Sequence, residues 1–225
     1  MNTVSYFFSD GINAFFDLPT EHARRLLPRH LEPLERQHGT SILSVAGFDF
    51  FDSPIGPYRE AVLSIVVAPL VAPSSPVPKA ALYPYLVTTT TRSSREHAIE
   101  RWRLPHWMED TQIDFVREPG RIMLRVGLDD VEVLRLTVTE HDFAAASDLY
   151  QVFVRDEMMS DVVMSGKFSE HEAEKGSLTL REHRFYGELA VSEVEPLPFR
   201  EQWIRAGTET FHPLVALPGS RVRTS

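Results

Sequence analysis

The sequence predicts an α+β protein that is mainly antiparallel β. Most segments alternate apolar and polar residues or form short apolar runs, and Gly, Pro and Asp turns separate them. Helical patterns are few and short. With 225 residues, of which 43% are hydrophobic, the chain can bury one substantial core. We therefore predict a single domain over residues 1–217 and a C-terminal tail over 218–225.

The first part of the chain predicts a short helix among strands. Residues 3–8 indicate a short strand, and Thr20 to Leu27 indicates a helix with Thr20 as N-cap. Ile42 to Phe51 and Glu60 to Val71 indicate two strands that a Ser-Pro and Gly-Pro turn connects. Leu82 to Thr91 indicates the next strand.

A loop and a second helix are predicted around that strand. Ala72 to Lys79 holds three prolines and indicates a loop. Ser93 followed by Glu96 is a capping-box pattern, so we predict a helix with Ser93 as N-cap. This helix should reach about Arg103, because Pro105 follows.

The remaining segments return to the β pattern, with one short helix predicted at Arg200 to Arg205. So many strands leave edges that must be covered, which favours a closed or nearly closed barrel with a ligand site in its mouth or interior. The predicted strands are Gln112 to Arg117, Ile122 to Leu128, Val131 to Thr139, Leu149 to Arg155, Val162 to Phe168 and Ser177 to Val191.

Composition excludes several classes of function. A formal net charge of −9 argues against nucleic-acid partners and against binding to an acidic membrane surface. The chain has no cysteine and no apolar run of about 20 residues, so no disulfide, thiolate nucleophile or membrane helix is expected. The first residues do not resemble a signal peptide, and a cytoplasmic location is expected.

The histidines do not predict a metal site. There is no His-Glu-x-x-His pattern, and His171 and His183 lie in polar segments that are expected to be solvated. No cofactor fingerprint is present either, so we expect neither a metal nor a cofactor.

Two parts of the sequence contain candidate functional residues: the Arg59–Glu60 pair and His106. Arg59 and Glu60 begin a very apolar strand, where an ion without a partner costs several kcal/mol to bury. The pair lies either on a solvated edge or in a pocket that uses its charge. His106 lies between Pro105 and Trp107 and is either a titratable group beside an aromatic wall or a half-buried structural histidine.

Four segments resemble motifs of the acetoacetate decarboxylase superfamily. They are Leu27-Pro28-Arg29-His30-Leu31-Glu32-Pro33-Leu34, Gly56-Pro57-Tyr58-Arg59-Glu60, Tyr83-Pro84-Tyr85-Leu86 and Leu104-Pro105-His106-Trp107. The resemblance spans roughly residues 5 to 205 and is patchy. It implies a cone-shaped antiparallel β-barrel with a few short outer helices, assembled into a homo-oligomer.

The resemblance fails at the catalytic lysines. In the decarboxylases a lysine forms a Schiff base with a β-keto acid, and a second lysine lowers its pKa. Here those positions are His106 and Trp107. Val45 and Ser9 stand where the family has a second carboxylate and a substrate-binding arginine. The resemblance therefore implies the fold and the pocket and argues against Schiff-base decarboxylation.

These observations favour a lyase or isomerase that uses acid–base catalysis on a small oxo- or hydroxy-substrate. Glu60 and His106 are the candidate catalytic pair. We expect the apolar site to be shaped by Tyr85, Leu104, Trp107 and Met108. Arg59 is a candidate for binding a substrate carboxylate, although neighbours on a strand point to opposite faces.

Two alternatives stay open. One is a non-catalytic protein that binds a small ligand in the same barrel. The other is a decarboxylase with a relocated lysine, for which Lys79 in the predicted loop is the candidate. The chain has only two other lysines, Lys167 and Lys175.

Overall fold

A closed barrel is the centre of the fold in the computed structural model, which describes residues 2–68, 80–172 and 175–217. Two α-helices and thirteen strands are present in these ranges. In chain order they are β1 (Val4–Pro19), α1 (Thr20–Leu26), β2 (Glu35–Gln37), β3 (Thr40–Asp52), β4 (Tyr58–Val67), β5 (Ala80–Thr89), α2 (Arg92–Trp102), β6 (Gln112–Glu118), β7 (Arg121–Leu128), β8 (Val131–Thr139), β9 (Ala146–Arg155), β10 (Met158–His171), β11 (Ser177–Leu180), β12 (Arg200–Phe211) and β13 (Val215–Ala216).

Seven strands form the barrel, in the order β1-β12-β10-β9-β5-β4-β3, and β3 pairs with β1 to close it. Every neighbouring pair is antiparallel except β5 and β9, which run parallel. The chain reaches this parallel pair through α2 and a second, four-stranded sheet of order β11-β8-β7-β6. The predicted fold class, mainly antiparallel β with few helices, is confirmed.

Two apolar cores follow from the alternation of side chains on the barrel strands. Inside the barrel, Phe8, Phe48 and Phe153 pack with Trp102 of α2. Outside it, the opposite faces of β1, β3 and β4 pack against the second sheet. This outer core includes Ile12, Leu43, Leu63, Leu124 and Leu136.

Helix α2 is fixed to the barrel interior by its last turn. Trp102 is almost fully buried, and its indole Nε1 donates a 2.9 Å hydrogen bond to the hydroxyl of Tyr6 on β1. Arg103 ends the helix in a left-handed conformation with φ 56°. The following residues then return along β5, where the backbone of Val87 bonds to Pro105 and Trp107.

Both predicted helix caps are wrong. Helix α1 begins at Thr20 itself, whose hydroxyl lies 2.9 Å from the hydroxyl of Ser41 instead of capping the helix. In α2 the N-cap is Thr91, whose Oγ1 accepts a 3.2 Å hydrogen bond from the backbone N–H of Ser94. Glu96 does not close a capping box there but pairs with Arg92 one turn earlier.

One helix prediction and two strand predictions also differ from the structure. The predicted helix at Arg200 to Arg205 is the start of β12, whose backbone pairs with β1 and β10. The strand predicted at residues 3–8 continues to Pro19, because β1 pairs with β12 and β3 along its length. The strand predicted to reach Val191 ends at Leu180 and is followed by short 3₁₀ turns.

Some predictions fall outside the described ranges. The predicted loop Ala72 to Lys79 and the predicted tail over 218–225 both lie there. Within the described part of the chain, neither α-helix has the length and apolar character that crossing a membrane requires.

Candidate functional site

Glu60 lies on the interior face of the barrel. It begins the apolar part of β4, and Val62 and Ser64 follow it on the same face. Arg59 points to the opposite face, where its guanidinium donates hydrogen bonds to Asp49 at 3.0 Å and to Asp114 at 3.1 Å. The two neighbouring charges therefore have separate environments.

A cavity of about 60 Å³ lies inside the barrel beside Glu60. One buried water needs about 10–15 Å³ on the same measure, so the cavity has room for a small molecule. Its walls are mostly apolar and aromatic. The apolar wall residues include Phe48, Leu104, Phe153, Met164, Ile204 and Phe211.

A second carboxyl group, Glu209 of β12, lines the same cavity. Glu60 is 8% exposed and Glu209 is 7% exposed. Neither has a hydrogen-bond partner within the described residues. Two carboxyl groups from distant parts of the chain are thus brought together, unpartnered, in an apolar space.

Burial makes both carboxyl groups unusually weak acids. Burial raises the pKa of Glu60 to about 8. Burial also raises the pKa of Glu209 well above its usual range, and the negative charge of Glu60 raises it further. Burial thus favours the protonated form of both groups, Glu60 holds its proton at pH 7, and the pair releases its protons in coupled steps.

Two tyrosines surround this pair. Burial raises the pKa of Tyr6 and of Tyr58 above the usual range, and the charge of Glu60 adds to both increases. The Tyr6 hydroxyl accepts a hydrogen bond from Trp102 and lies 2.8 Å from Nε2 of His97 on α2. Because its accepting position faces the indole, Tyr6 can donate its own proton to His97.

His106 does not join Glu60. It is not among the described residues that line the cavity, because the backbone of its segment pairs with Val87 of β5. Both ring nitrogens are buried without a hydrogen-bond partner in the described structure. Burial lowers its pKa to about 4, and the positive charge of Arg95 contributes. At pH 7 the ring is therefore neutral.

Of the predicted wall residues, Leu104 lines the cavity. Tyr85 lies on the other face of β5, near Tyr186. The indole of Trp107 packs 5.5 Å from the ring of Phe185, and Met108 is 61% exposed. The structure thus brings together Glu60 and Leu104 and leaves Arg59, Tyr85, His106, Trp107 and Met108 outside the cavity.

Sequence reasoning missed the polar residues on the other strands. Besides Glu209, the cavity is lined by Asn13, Ser44, Ser64 and Gln151. No local pattern marks Glu209, because Thr208-Glu209-Thr210-Phe211 does not alternate apolar and polar residues and the other cavity residues are distant in sequence.

The described residues contain no group of three or more His, Asp or Glu side chains placed to hold a metal ion. His171, expected to be solvated, is 8% exposed at its side chain and lies 2.9 Å from the hydroxyl of Thr139. His183 is half-buried, and its Nδ1 accepts a hydrogen bond from the backbone of Phe185. These two histidines have structural contacts.

The lysines that the structure describes lie outside the cavity. Lys167 and Lys175 are both exposed, and neither lines the cavity. Lys79 lies outside the described residues.

Comparison with known proteins gives a match at the level of structure alone. No protein-family model matches the chain, and no curated protein matches it by sequence. An acetoacetate decarboxylase structure aligns with a TM-score of 0.62 at 11% identity, covering 98% of this chain and 92% of that chain. The enduracididine biosynthesis enzyme MppR, in complex with pyruvate, aligns with a TM-score of 0.60 at 16% identity, covering 97% and 91%.

A third solved structure has the same fold. An acetoacetate decarboxylase-like enzyme from Sphingomonas wittichii RW1 aligns with a TM-score of 0.59 at 13% identity, covering 96% of this chain and 93% of that chain. The alignments extend over nearly the full length of each protein. The chain therefore has the acetoacetate decarboxylase-like fold.

Proposed function

We propose that this protein is an enzyme of lyase or isomerase type that moves protons next to the carbonyl group of a small oxo- or hydroxy-substrate. The observation that carries the proposal is the pair of unpartnered carboxyl groups, Glu60 and Glu209, in one aromatic-walled cavity. The structures with the same fold that are described above are enzymes, which supports a catalytic role.

In the proposed mechanism the active form of the pair holds one proton. The protonated carboxyl donates a hydrogen bond to the substrate's carbonyl oxygen, and the carboxylate removes a proton from the adjacent carbon. This produces an enolate, whose oxygen accepts the hydrogen bond of the protonated donor, and leaves both carboxyl groups protonated. Return of a proton to a different carbon completes an isomerisation, whereas protonation and loss of a neighbouring hydroxyl as water completes a dehydration.

Glu209 replaces His106 as the proposed partner of Glu60. His106 lies outside the cavity and its ring is neutral at pH 7, so it is not suited to be the proton donor in this mechanism. A Schiff base is not part of the proposal, since Lys167 and Lys175 are exposed and away from the cavity. Borohydride treatment in the presence of small keto acids should therefore leave every lysine unmodified. A covalent adduct on Lys79 would instead support the relocated-lysine alternative.

The test is exchange of carbon-bound hydrogen in D₂O. A panel of small ketones and hydroxyketones is incubated with the protein, and NMR follows loss of the signal next to the carbonyl. We expect Glu60→Gln and Glu209→Gln each to slow exchange by about 100-fold or more. Glu118→Gln, at the exposed β6–β7 turn, is the matched control and should leave the rate unchanged.

The pH dependence provides a second readout. The one-proton form becomes populated as pH rises towards and through about 8, where Glu60 titrates, so the exchange rate should increase over that range. The mechanism would be contradicted if the Glu60→Gln variant exchanged hydrogen as fast as the wild-type protein. It would also be contradicted if the wild-type exchange rate did not change between pH 6 and 9. Binding of a ketone without any exchange would favour the non-catalytic alternative.

A further inference from the structure

The basic residues of the barrel strands all act away from the cavity. Arg59 pairs with Asp49 and Asp114, and Arg155 lies against Tyr83 on the outer face. Arg200 pairs with Glu170, and Arg205 pairs with Glu140. Lys167 of β10 is exposed. Within the described residues, therefore, no arginine, lysine or histidine lines the cavity.

The polar groups that do line the cavity are acids and neutral side chains. Gln151 is 8% exposed and Ser64 is 2% exposed, and neither side chain has a hydrogen-bond partner in the described structure. Asn13 and Ser44 are bonded to each other, with the Ser44 hydroxyl 2.8 Å from Asn13 Oδ1. Unpartnered buried polar groups of this kind need a ligand or water to satisfy them.

The positions of these groups give the cavity two polar ends. Glu60 and Ser64 lie four residues apart on the same face of β4, which corresponds to roughly 13 Å along a strand. Apolar residues, including Ala46, Val62 and Ile204, lie between them on the wall. A small ligand therefore meets either the carboxyl group of Glu60 or the neutral polar groups farther along the wall, and a longer ligand meets both.

Charge decides which polar groups these can be. A substrate carboxylate would enter a space with no cation and two acids, so it would lose its hydration without an ionic partner. A carbonyl oxygen instead accepts a hydrogen bond from a protonated carboxyl group. An amide or hydroxyl of the ligand can pair with the neutral side chain of Gln151 or of Ser64, each of which donates and accepts hydrogen bonds.

We infer that the Glu60–Glu209 cavity selects an uncharged oxo-substrate and rejects substrates that carry a carboxylate. This inference rests on the proposed function and adds the substrate class to it. It replaces the expectation that an arginine holds a substrate carboxylate. The carbonyl binds at Glu60 and Glu209, and a hydroxyl or amide of the ligand binds to a neutral polar side chain of the wall, such as Gln151 or Ser64.

The test uses pairs of ligands that differ in charge and little else. Pyruvamide and pyruvate have the same number of non-hydrogen atoms, as do acetoacetamide and acetoacetate and also levulinamide and levulinate. Dissociation constants are measured by calorimetry at pH 7 on the wild-type protein, with thermal stabilisation as a second readout. We expect the amide of at least one pair to bind about tenfold or more tightly than its carboxylate.

Two variants sharpen the result. Gln151→Lys supplies a cation to the cavity and should narrow or reverse the preference for the amide. In the Glu60→Gln/Glu209→Gln double variant no acid remains at that end, so amide affinity should not change between pH 6 and 9. In the wild type it should fall as pH rises through about 8, because ionised Glu60 no longer donates. The groups beside Glu60 that also affect this titration are Glu209, Tyr6 and Tyr58, with Arg101 and His97 acting on Tyr6.

The outcomes separate this inference from the proposed function. Equal or tighter binding of the carboxylates, or no binding by any amide, would overturn the inference even if Glu60-dependent exchange is observed. Charge selectivity without Glu60-dependent exchange would leave the inference standing and overturn the catalytic proposal. If the Gln151→Lys variant does not fold, the inference is still tested, because the comparison of amide and carboxylate binding to the wild-type protein is sufficient.

Discussion

Glu201 and Glu209 lie on the same strand and are both buried, yet their surroundings differ completely. The carboxylate of Glu201 accepts hydrogen bonds from the backbone N–H groups of Thr139 and Gly176, each at 2.7 Å, and from Lys175 N–H at 3.2 Å. Glu209 has no such partner in the described structure. The first residue joins β12 to the segments beside it, and the second is available to a ligand.

This contrast predicts opposite effects of the same substitution. Glu60 and Glu209 have raised pKa values in the folded state, so the folded protein retains protons that the unfolded chain releases above about pH 4.3. Their stabilising contribution is therefore complete below that pH and is lost as pH rises through about 8. Glu60→Gln and Glu209→Gln should each increase the free energy of unfolding at pH 8 and have less effect at pH 5.

Glu201→Gln should instead destabilise the protein by roughly 2–3 kcal/mol at both pH values, since it places an amide N–H₂ among backbone donors. Urea unfolding at pH 5 and pH 8 measures all three variants. Destabilisation by Glu209→Gln equal to that by Glu201→Gln would contradict the view that Glu209 is unpartnered. The same measurement also tests whether the Glu60→Gln and Glu209→Gln variants fold.

At the scale of elements, helix α2 is held in place by contacts at both of its ends, and its last turn lies beside the carboxyl pair. Thr91 caps the first turn, and Trp102 in the last turn bonds to Tyr6 beside the carboxyl pair. Ser94 adds a 2.7 Å hydrogen bond between its hydroxyl and that of Thr89 on β5. The orientation of α2 therefore affects both the barrel interior and the segment that carries His106.

The cap assignment is tested by a matched pair of substitutions. Thr91→Ala removes the acceptor for Ser94 N–H and should cost about 1 kcal/mol of stability. Ser93→Ala, two residues later and exposed, should cost much less, whereas the capping-box pattern predicts the opposite order. Chemical denaturation of the two variants decides between them.

Elements with strong local patterns were predictable from the sequence, and those determined by distant partners were not. The meander of β6, β7 and β8 was predicted almost to the residue, because alternation and turn residues specify it locally. The helix predicted at Arg200 to Arg205 is wrong because these residues begin β12, whose partners β1 and β10 are distant in sequence. Glu201 and Gln202 are buried there.

The same distinction applies to the site. Glu60 was identifiable because a charge at the start of an apolar strand is unusual and because its surroundings match a known motif. Glu209 was not, since its partner is distant in sequence. His106 was expected in the cavity from its motif position, but pairing between its segment and Val87 holds it elsewhere.

At the scale of the whole molecule, stability depends on how closely the second sheet approaches the barrel. Gly47 of β3 lies directly under Leu124 of β7, and a Cβ added at Gly47 would lie 2.6 Å from the Cδ2 of that leucine. The missing side chain thus permits the close contact between the two layers. Leu124 itself is fully buried in the outer core.

Gly47→Ala should therefore separate the layers and destabilise the protein by about 1–3 kcal/mol. Gly127→Ala is the matched control: its added Cβ would meet nothing closer than 3.6 Å, and the substitution should be neutral or slightly stabilising. Thermal unfolding compares the two. An equal loss of stability in both variants would show that glycine flexibility, and not the contact with Leu124, sets the effect.

Closure of the barrel by β1 and β12 has a consequence for synthesis of the chain. Val4 pairs with Phe211 and Phe15 with Arg200, so the first strand must wait for almost the whole chain before its second edge is covered. Until then the ribosome-bound chain exposes the apolar walls around Glu60, and Glu209 has not yet been translated or has not reached the cavity. Glu60 and Glu209 therefore come together only when β12 has joined the barrel, and a chain without β12 carries an exposed edge strand and an incomplete cavity.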